Sequence, residues 1–313
     1  MYDTIIIGGG PGGAAAAVYA ARKKLKTLLI TESFGGQSSV SAEIFNWIGT
    51  KSISGADLAK NLEEHIRAYK DDIAIKMSER AEKTAMVEDG FKVTTATGSY
   101  EAKTLIVVTG SRRRKLGIPG EEKYNGKGVA YCSTCDAPVF AGQKVAVVGG
   151  GNAGLEAVQD LIPYASEIYL LEYSDTIKGD PVTLENIKKS KKFKEAILNA
   201  QTLEVIGDKF VTGLKYKDRI SGEEKTLDVT GVFVEIGAVP NSEFLGNLVE
   251  KNKYGEVLIN HKTAATSREG IWAAGDVTDE MYKQNNISAG DAVKAALSAY
   301  QYLLNKEKAH RNE

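Results

Sequence analysis

Cysteine is nearly missing from this chain: 313 residues hold two. A framework of structural disulfides is therefore excluded. Both cysteines lie in Tyr131-Cys132-Ser133-Thr134-Cys135-Asp136, at CxxC spacing with a carboxylate directly behind. Histidine is scarce too, and His65, His261 and His310 are scattered. A zinc site wants four ligands, usually two such pairs or a pair with spaced histidines, so no metal is expected. Net charge is only -1, which removes the electrostatic case for nucleic acid or a membrane surface as partner. Five lysines within residues 188–194 are the one basic cluster, and they read as a solvated helix face. No apolar run approaches the roughly 20 residues of a membrane span. The N-terminus shows no basic leader and opens in the apolar Thr4-Ile5-Ile6-Ile7. A cytoplasmic protein is expected, in which a CxxC pair points to redox chemistry.

Glycine, by contrast, is placed with a pattern. Residues 2–7 end in Gly8-Gly9-Gly10-Pro11-Gly12-Gly13, followed by an alanine-rich helix through Arg22. Gly8, Gly10 and Gly13 fit GxGxxG. Such glycines allow a tight turn, close approach of backbone to a pyrophosphate, and close helix–strand packing, with the helix start facing the phosphates. The next apolar run, residues 27–31, ends in Glu32, the acid expected on a ribose diol. The unit then recurs. Lys144-Val145-Ala146-Val147-Val148 leads into Gly149-Gly150-Gly151-Asn152-Ala153-Gly154, a helix, and a strand closing on Glu172. Two intact copies of one strand–glycine–helix–strand–acid unit imply two dinucleotide sites.

Between the copies, residues 55–70 have helical amphipathicity, 91–97 alternate as a strand, and 104–108 form a buried strand ending in Thr109-Gly110. Residues 111–120 are polar with Gly and Pro and read as a connection. Later come a hairpin turning at Ser221-Gly222, a strand at 231–237, a strand running into Gly275-Asp276, and a last helix from Ile287 to Leu304.

These motifs together resemble the low-molecular-weight thioredoxin reductase family, to which the catalytic half of the alkyl hydroperoxide reductase flavoprotein subunit is similar. Besides the glycine turns and the cysteines, the likeness rests on Gly35-Gly36-Gln37, Asn46-Trp47-Ile48-Gly49, Thr109-Gly110, Ile236-Gly237 through Asn241, and Gly275-Asp276 with Gln284. The resemblance implies an α/β fold of two Rossmann-like, three-layer dinucleotide-binding domains, the second inserted into the first. Residues 1–114 and 243–313 would bind FAD, and 115–242 would carry the nicotinamide site and the CxxC pair. It further implies that Gly8, Gly10, Pro11, Gly12 and Gly13 hold the FAD pyrophosphate and Glu32 its ribose. By the same resemblance Gln37 and Asn46 would flank the flavin side, Asp276 would touch the ribityl-phosphate region, Gln284 with Ile287 would approach the isoalloxazine, and Gly36, Thr109, Gly110 and Gly275 would belong to the cofactor site. Gly149, Gly151, Asn152, Gly154 and Glu172 form the nicotinamide-dinucleotide site. A Cys132–Cys135 disulfide then takes electrons from the flavin. By the resemblance Cys135 would be the flavin-side sulfur and Cys132 would attack the partner's disulfide, with Asp136 the expected proton source for a leaving thiolate, a role that burial would favour by raising its pKa. The resemblance implies a thioredoxin-like acceptor, which is expected to be a separate protein because the sequence opens on the FAD strand. A homodimer is the family's usual assembly.

The sequence departs from that pattern in two places. Relatives that use NADPH carry cations for the 2′-phosphate after the second-unit strand. Here Glu172-Tyr173-Ser174-Asp175-Thr176-Ile177-Lys178 keeps only Lys178. Two unit charges about 4 Å apart repel by about 4 kcal/mol at an effective dielectric of 20, so NADH is favoured over NADPH. The same residues leave open a ferredoxin donor in place of a nicotinamide. Second, Ala137 stands where relatives carry glycine beside the catalytic acid. An alternative of another class is a non-catalytic flavin-binding redox sensor.

Overall fold

The computed structural model describes residues 1–41 and 43–311. The chain divides into two compact units, Met1–Arg112 with Val239–Glu313, and Arg113–Ala238. Six α-helices occur among the described residues: α1 (Pro11–Arg22), α2 (Gly55–Arg67), α3 (Ser133–Asp136), α4 (Asn152–Leu161), α5 (Pro181–Lys188) and α6 (Asn285–Arg311).

In the first unit the strand Tyr2–Ile7 lies between Thr27–Thr31 and Gly98–Val107, parallel to both, with Ile6 opposite Leu29 and Ile106. Ile73–Met77 and Ile271–Ala273 extend the parallel sheet on either side. Its strands are apolar on both faces, as burial on both faces requires. Ile6, Leu29 and Ile106 face a layer made by α1 and α6. That layer packs closely because both helices present alanine: Ala14, Ala17 and Ala21 on α1, and Ala292, Ala295, Ala296 and Ala299 on α6. Ile5, Ile7, Leu28 and Leu105 face the other way, onto Phe91 and Val93. Those two belong to an antiparallel meander, Ala81–Val87, Gly90–Thr95 and Gly98–Val107. The last of these strands runs on into the parallel sheet and ties the two layers together.

The second unit repeats the plan. Its parallel sheet runs Phe193–Ile197, Glu167–Leu171, Lys144–Val148, Gly231–Val234, Val129–Ala130. Val145, Val147, Ile168 and Phe233 pack on Leu155, Val158 and Leu161 of α4. Val148, Leu171 and Val232 pack on Val205, Val211 and Leu214 of an antiparallel sheet, Ala200–Gly207, Val211–Asp218 and Glu224–Leu227. Each unit thus has helices, parallel sheet and antiparallel sheet in three layers.

Two expectations need correction. The connection at 111–120 begins as a strand, Ser111–Arg113, because the returning chain at Ala238–Pro240 pairs with it. The lysine cluster is not a helix face. Only Lys188 lies in α5; Lys192 caps the carbonyls of Ile162 and Pro163 at 2.7 and 3.2 Å, and Lys194 sits in the next strand, 3.7 Å from Glu167. Among the described residues no helix is long and apolar enough to cross a membrane.

Candidate functional site

The two glycine turns are built alike. A Cβ added to Gly13 would lie 1.8 Å from the Gly8 carbonyl oxygen, and one on Gly154 would lie 1.7 Å from that of Gly149. These third glycines let the helix pack on the turn. The middle glycines differ. Gly10 would meet only the Cα of Gly36, at 3.8 Å, and Gly151 nothing within 4 Å. Their open side is where a ligand's pyrophosphate can come close to the protein backbone. The helix starts agree. α2 and α5 are capped by the side chains of Ser54 and Asp180, whereas α1 and α4 begin on Gly10 and Gly151 with no side-chain cap. Both turns therefore fit a pyrophosphate.

Around the first turn runs a cleft of about 780 Å³. Of the residues expected there, Gly8, Gly10, Pro11, Gly12, Glu32, Gly36, Gln37, Thr109, Gly110 and Asp276 line it. Gly13, Asn46, Gly275, Gln284 and Ile287 are not on its wall. Gly13 and Gly275 act by close packing instead: a Cβ on Gly275 would come within 2.3 Å of Ser288 Oγ. Asn46 Nδ2 donates to Gln284 Oε1 at 3.2 Å, and Asn286 Nδ2 donates to the Asn46 carbonyl at 2.7 Å, so the 46–49 loop is tied to the start of α6. Ile287 lies half-buried in the first turn of α6. Glu79, Arg80 and Glu82 also line the cleft. They come from the edge of the meander, which no motif marks.

At the second turn, Glu172 accepts the backbone N–H of Gly150 at 2.6 Å and of Ser174 at 2.8 Å. Burial works to raise its pKa, but these N–H groups and Lys178 outweigh it and hold the carboxyl below its usual range. Asn152 Oδ1 accepts the backbone N–H of Asp180 at 2.8 Å, fixing the loop before α5 to the start of α4. One cation here was invisible in the sequence. Arg219, at the end of the hairpin strand Val211–Asp218, stacks on the Tyr173 ring with its guanidinium carbon 3.9 Å from the ring centroid. It also donates to the Tyr173 carbonyl at 2.9 Å.

Cys132 and Cys135 are joined as a disulfide, with Cα atoms 5.3 Å apart. Cys132 precedes α3, and Cys135 and Asp136 lie within it. Ser133 and Thr134 donate their hydroxyls to one oxygen of Asp160 on α4, at 2.8 and 2.9 Å. The helix that starts at the second glycine turn thus also anchors the redox helix. Burial pushes Asp136 up to about 6, with Arg113 opposing. Ala137 resolves the departure from glycine: its φ of -51° and ψ of -40° are ordinary right-handed helix, open to any L-residue. Behind α3 sits Glu235, 8% exposed, which burial pushes up to about 7 against Arg113 and the N–H of Ser133. The sequence carried a signal for it, a lone charge ending an apolar parallel strand, where sites in such sheets gather. On the other side, the Glu121 carboxylate accepts the N–H groups of Leu116 and Gly117 at 2.8 and 2.7 Å and the hydroxyl of Tyr131 at 2.9 Å.

Known proteins share this arrangement. The profile of the family described as pyridine nucleotide-disulphide oxidoreductase matches residues 2–296. An NADH dehydrogenase of Bacillus subtilis is 43% identical over 97% of this chain, and an alkyl hydroperoxide reductase subunit of Escherichia coli is 43% identical over 98%. The chain spans 59% of the length of each. Among solved structures, thioredoxin reductase from Streptococcus pyogenes has a TM-score of 0.90 at 31% identity, covering 97% of this chain and 99% of that one. Thioredoxin reductase from Giardia duodenalis has a TM-score of 0.89 at 29% identity, covering 97% and 99%. With two glycine turns, a disulfide-bonded CxxC pair and these relatives, the chain belongs to the pyridine nucleotide-disulphide oxidoreductase family.

Proposed function

We propose that the protein is an FAD-dependent disulfide reductase that takes electrons from NADH in preference to NADPH and delivers them to a thioredoxin-like protein through Cys132 and Cys135. The observation that carries the reading is the disulfide itself. The chain's only two cysteines are bonded to each other, beside an acid whose pKa is raised to about 6, in a fold with two pyrophosphate cradles. In the unit formed by both ends of the chain, Gly8–Gly13 and the start of α1 bind the FAD pyrophosphate, Glu32 the adenosine ribose and Asp276 the ribityl-phosphate. In the inserted unit, Gly149–Gly154 and Glu172 bind the nicotinamide dinucleotide. Bound FAD supplies the two-electron relay between nicotinamide and disulfide. Cys132 attacks the acceptor's disulfide as a thiolate, Cys135 resolves the mixed disulfide, and Asp136 protonates a departing sulfur. The test is anaerobic mixing of the purified protein with NADH, NADPH and reduced ferredoxin in turn, following loss of the oxidised flavin absorbance. Rapid bleaching by NADH supports the reading; bleaching by ferredoxin alone replaces the donor.

Asp136→Asn is expected to slow acceptor reduction by about 10²-fold, the scale of general acid catalysis. A raised carboxyl pKa means the acid form is present below about pH 6 and is lost above it. The wild-type rate of thiolate protonation should therefore fall through that region, and the Asn variant should be flat there. A pre-steady-state pH series checks this, and an unchanged profile in the variant removes Asp136 from the role.

For the donor, the negative Glu172 repels a 2′-phosphate, while Arg219 beside Tyr173 softens the discrimination. The wild type should show a kcat/KM ratio favouring NADH by about tenfold or more. Glu172→Gln keeps an acceptor but removes the charge, and should cut the ratio by about fivefold or more. Steady-state rates with both nucleotides decide; a wild-type ratio favouring NADPH overturns the donor assignment.

A further inference from the structure

Asp160 is the next-to-last residue of α4, where the negative end of the helix dipole disfavours a carboxylate. Helix stability therefore does not account for it. Its Oδ2 accepts two hydroxyls, that of Ser133 at 2.8 Å and that of Thr134 at 2.9 Å. These are the two residues between the sulfurs: Ser133 follows Cys132, and Thr134 precedes Cys135. Ser133 is buried, and a buried hydroxyl needs a partner. Thr134 is exposed and can bond to water, yet it converges on the same oxygen. The platform beneath that oxygen is rigid. Leu155, Val158 and Leu161 of α4 are fully buried against Val145, Val147, Ile168 and Phe233. The loop between the cysteines is thus fastened to the core of its unit by two bonds in which neither sulfur takes part.

We propose that Asp160 is a positioning residue that clamps the two inner residues of the CxxC loop and so makes the Cys132–Cys135 dithiol a stronger reductant. This rests on the reading of that pair as the site of disulfide reduction. Opening the S–S bond does not break the clamp, because its bonds run through Ser133 and Thr134 only. In the dithiol it holds the loop in the turn that the disulfide needs. Less chain entropy is then lost when the sulfurs rejoin, and each thiol stands at a higher effective concentration toward the other. A dithiol that closes more readily gives up its two electrons more readily, so exchange with an acceptor's disulfide lies further toward reduced acceptor. The clamp works through hydrogen bonding and not through charge. Since one oxygen takes both hydroxyls, a neutral carbonyl oxygen in the same place serves as well.

The test is an equilibrium one and needs neither nicotinamide nor acceptor. The FAD-loaded protein is brought to equilibrium, without oxygen and at fixed pH, in mixtures of oxidised and reduced dithiothreitol. The two protein thiols give two electrons and two protons to oxidised dithiothreitol, whose S–S bond breaks as the bond between the Cys132 and Cys135 sulfurs forms. Free cysteines are trapped by alkylation and counted by mass. In Asp160→Ala the constant for closing the protein disulfide should fall by about tenfold, a rise of about 30 mV in reduction potential. Asp160→Asn keeps a carbonyl oxygen for both hydroxyls and should stay within about threefold of wild type. Ser133→Ala combined with Thr134→Val removes the clamp from its other side and should match Asp160→Ala, and adding Asp160→Ala to that pair should change the constant by no more than about twofold. An unchanged or increased constant in Asp160→Ala overturns the proposal. So does an Asp160→Asn constant equal to that of Asp160→Ala, which would make the effect one of charge. If Asp160→Ala does not fold, the Ser133→Ala, Thr134→Val pair decides: a fall supports the clamp and an unchanged constant overturns it. A protein that no nicotinamide reduces still yields these constants, so failure of the proposed function and failure of the clamp are separately visible.

Discussion

Cys132→Ser is expected to abolish electron delivery to a thioredoxin-like acceptor, by about 10³-fold or more, while the nicotinamide still bleaches the flavin at its normal rate. Loss of a nucleophile that acts in a covalent step is felt on that scale, because a serine hydroxyl is almost wholly protonated where a thiol is partly thiolate. The flavin half-reaction should survive because it needs the two dinucleotide sites and not the disulfide: the first cleft is lined wholly by residues of the unit formed by both ends of the chain. Cys135→Ser should lose turnover equally but leave a different trace. With Cys132 free to attack and no second sulfur to resolve, the acceptor should remain covalently attached and appear as a heavier band that dithiothreitol removes. If instead Cys135→Ser gives no adduct and Cys132→Ser gives one, the roles of the two sulfurs are exchanged. If Cys132→Ser leaves transfer untouched, the disulfide lies off the electron path, and a flavin-binding redox sensor becomes the better reading.

The parts of this protein legible in its sequence are those whose cause is local. Both glycine turns were readable because strand, turn and helix follow one another within about 30 residues. The third glycine of each turn answers a steric demand made by a neighbour a few positions away, as Gly13 does for the Gly8 carbonyl, whereas Gly8 itself makes room for the distant backbone of Val108. Cys132, Cys135 and Asp136 were readable because spacing alone joins them. What escaped is whatever the sheets bring together from afar. Arg219 meets Tyr173 across 46 residues through a hairpin whose own sequence is ordinary. Glu79 and Arg80 reach the cleft only because the meander folds over the parallel sheet. Glu235 stood in view as a charge on an apolar strand, yet nothing local tells whether such a charge points to solvent or under a helix. The lysine run misled for the same reason: similar charges in a row suggest one face, but the chain turns within them, from α5 into the strand Phe193–Ile197.

The glycines of the second turn give the sharpest separation of fold from function. Gly154→Ala should fail to fold stably. Its Cβ would fall 1.7 Å from the Gly149 carbonyl oxygen, a backbone atom fixed by the turn, so relief requires moving α4 off the sheet. A shift of that kind strips Leu155, Val158 and Leu161 from their contacts with Val147 and Phe233 and should cost about 3 kcal/mol or more. Gly151→Ala should fold as well as wild type. Its φ of -84° suits any residue, and the new methyl group meets nothing within 4 Å. The methyl group would instead stand where the nucleotide pyrophosphate approaches the backbone, and displacing that ligand by about 1–3 kcal/mol raises KM for the nicotinamide by about 10- to 100-fold. Flavin content should stay full, since Gly151 and the FAD cradle belong to different units. Thermal unfolding and nucleotide kinetics on the two variants resolve the matter. Normal KM in Gly151→Ala means that the dinucleotide does not pass over this turn. Wild-type stability in Gly154→Ala means that the backbone yields where its geometry leaves no room.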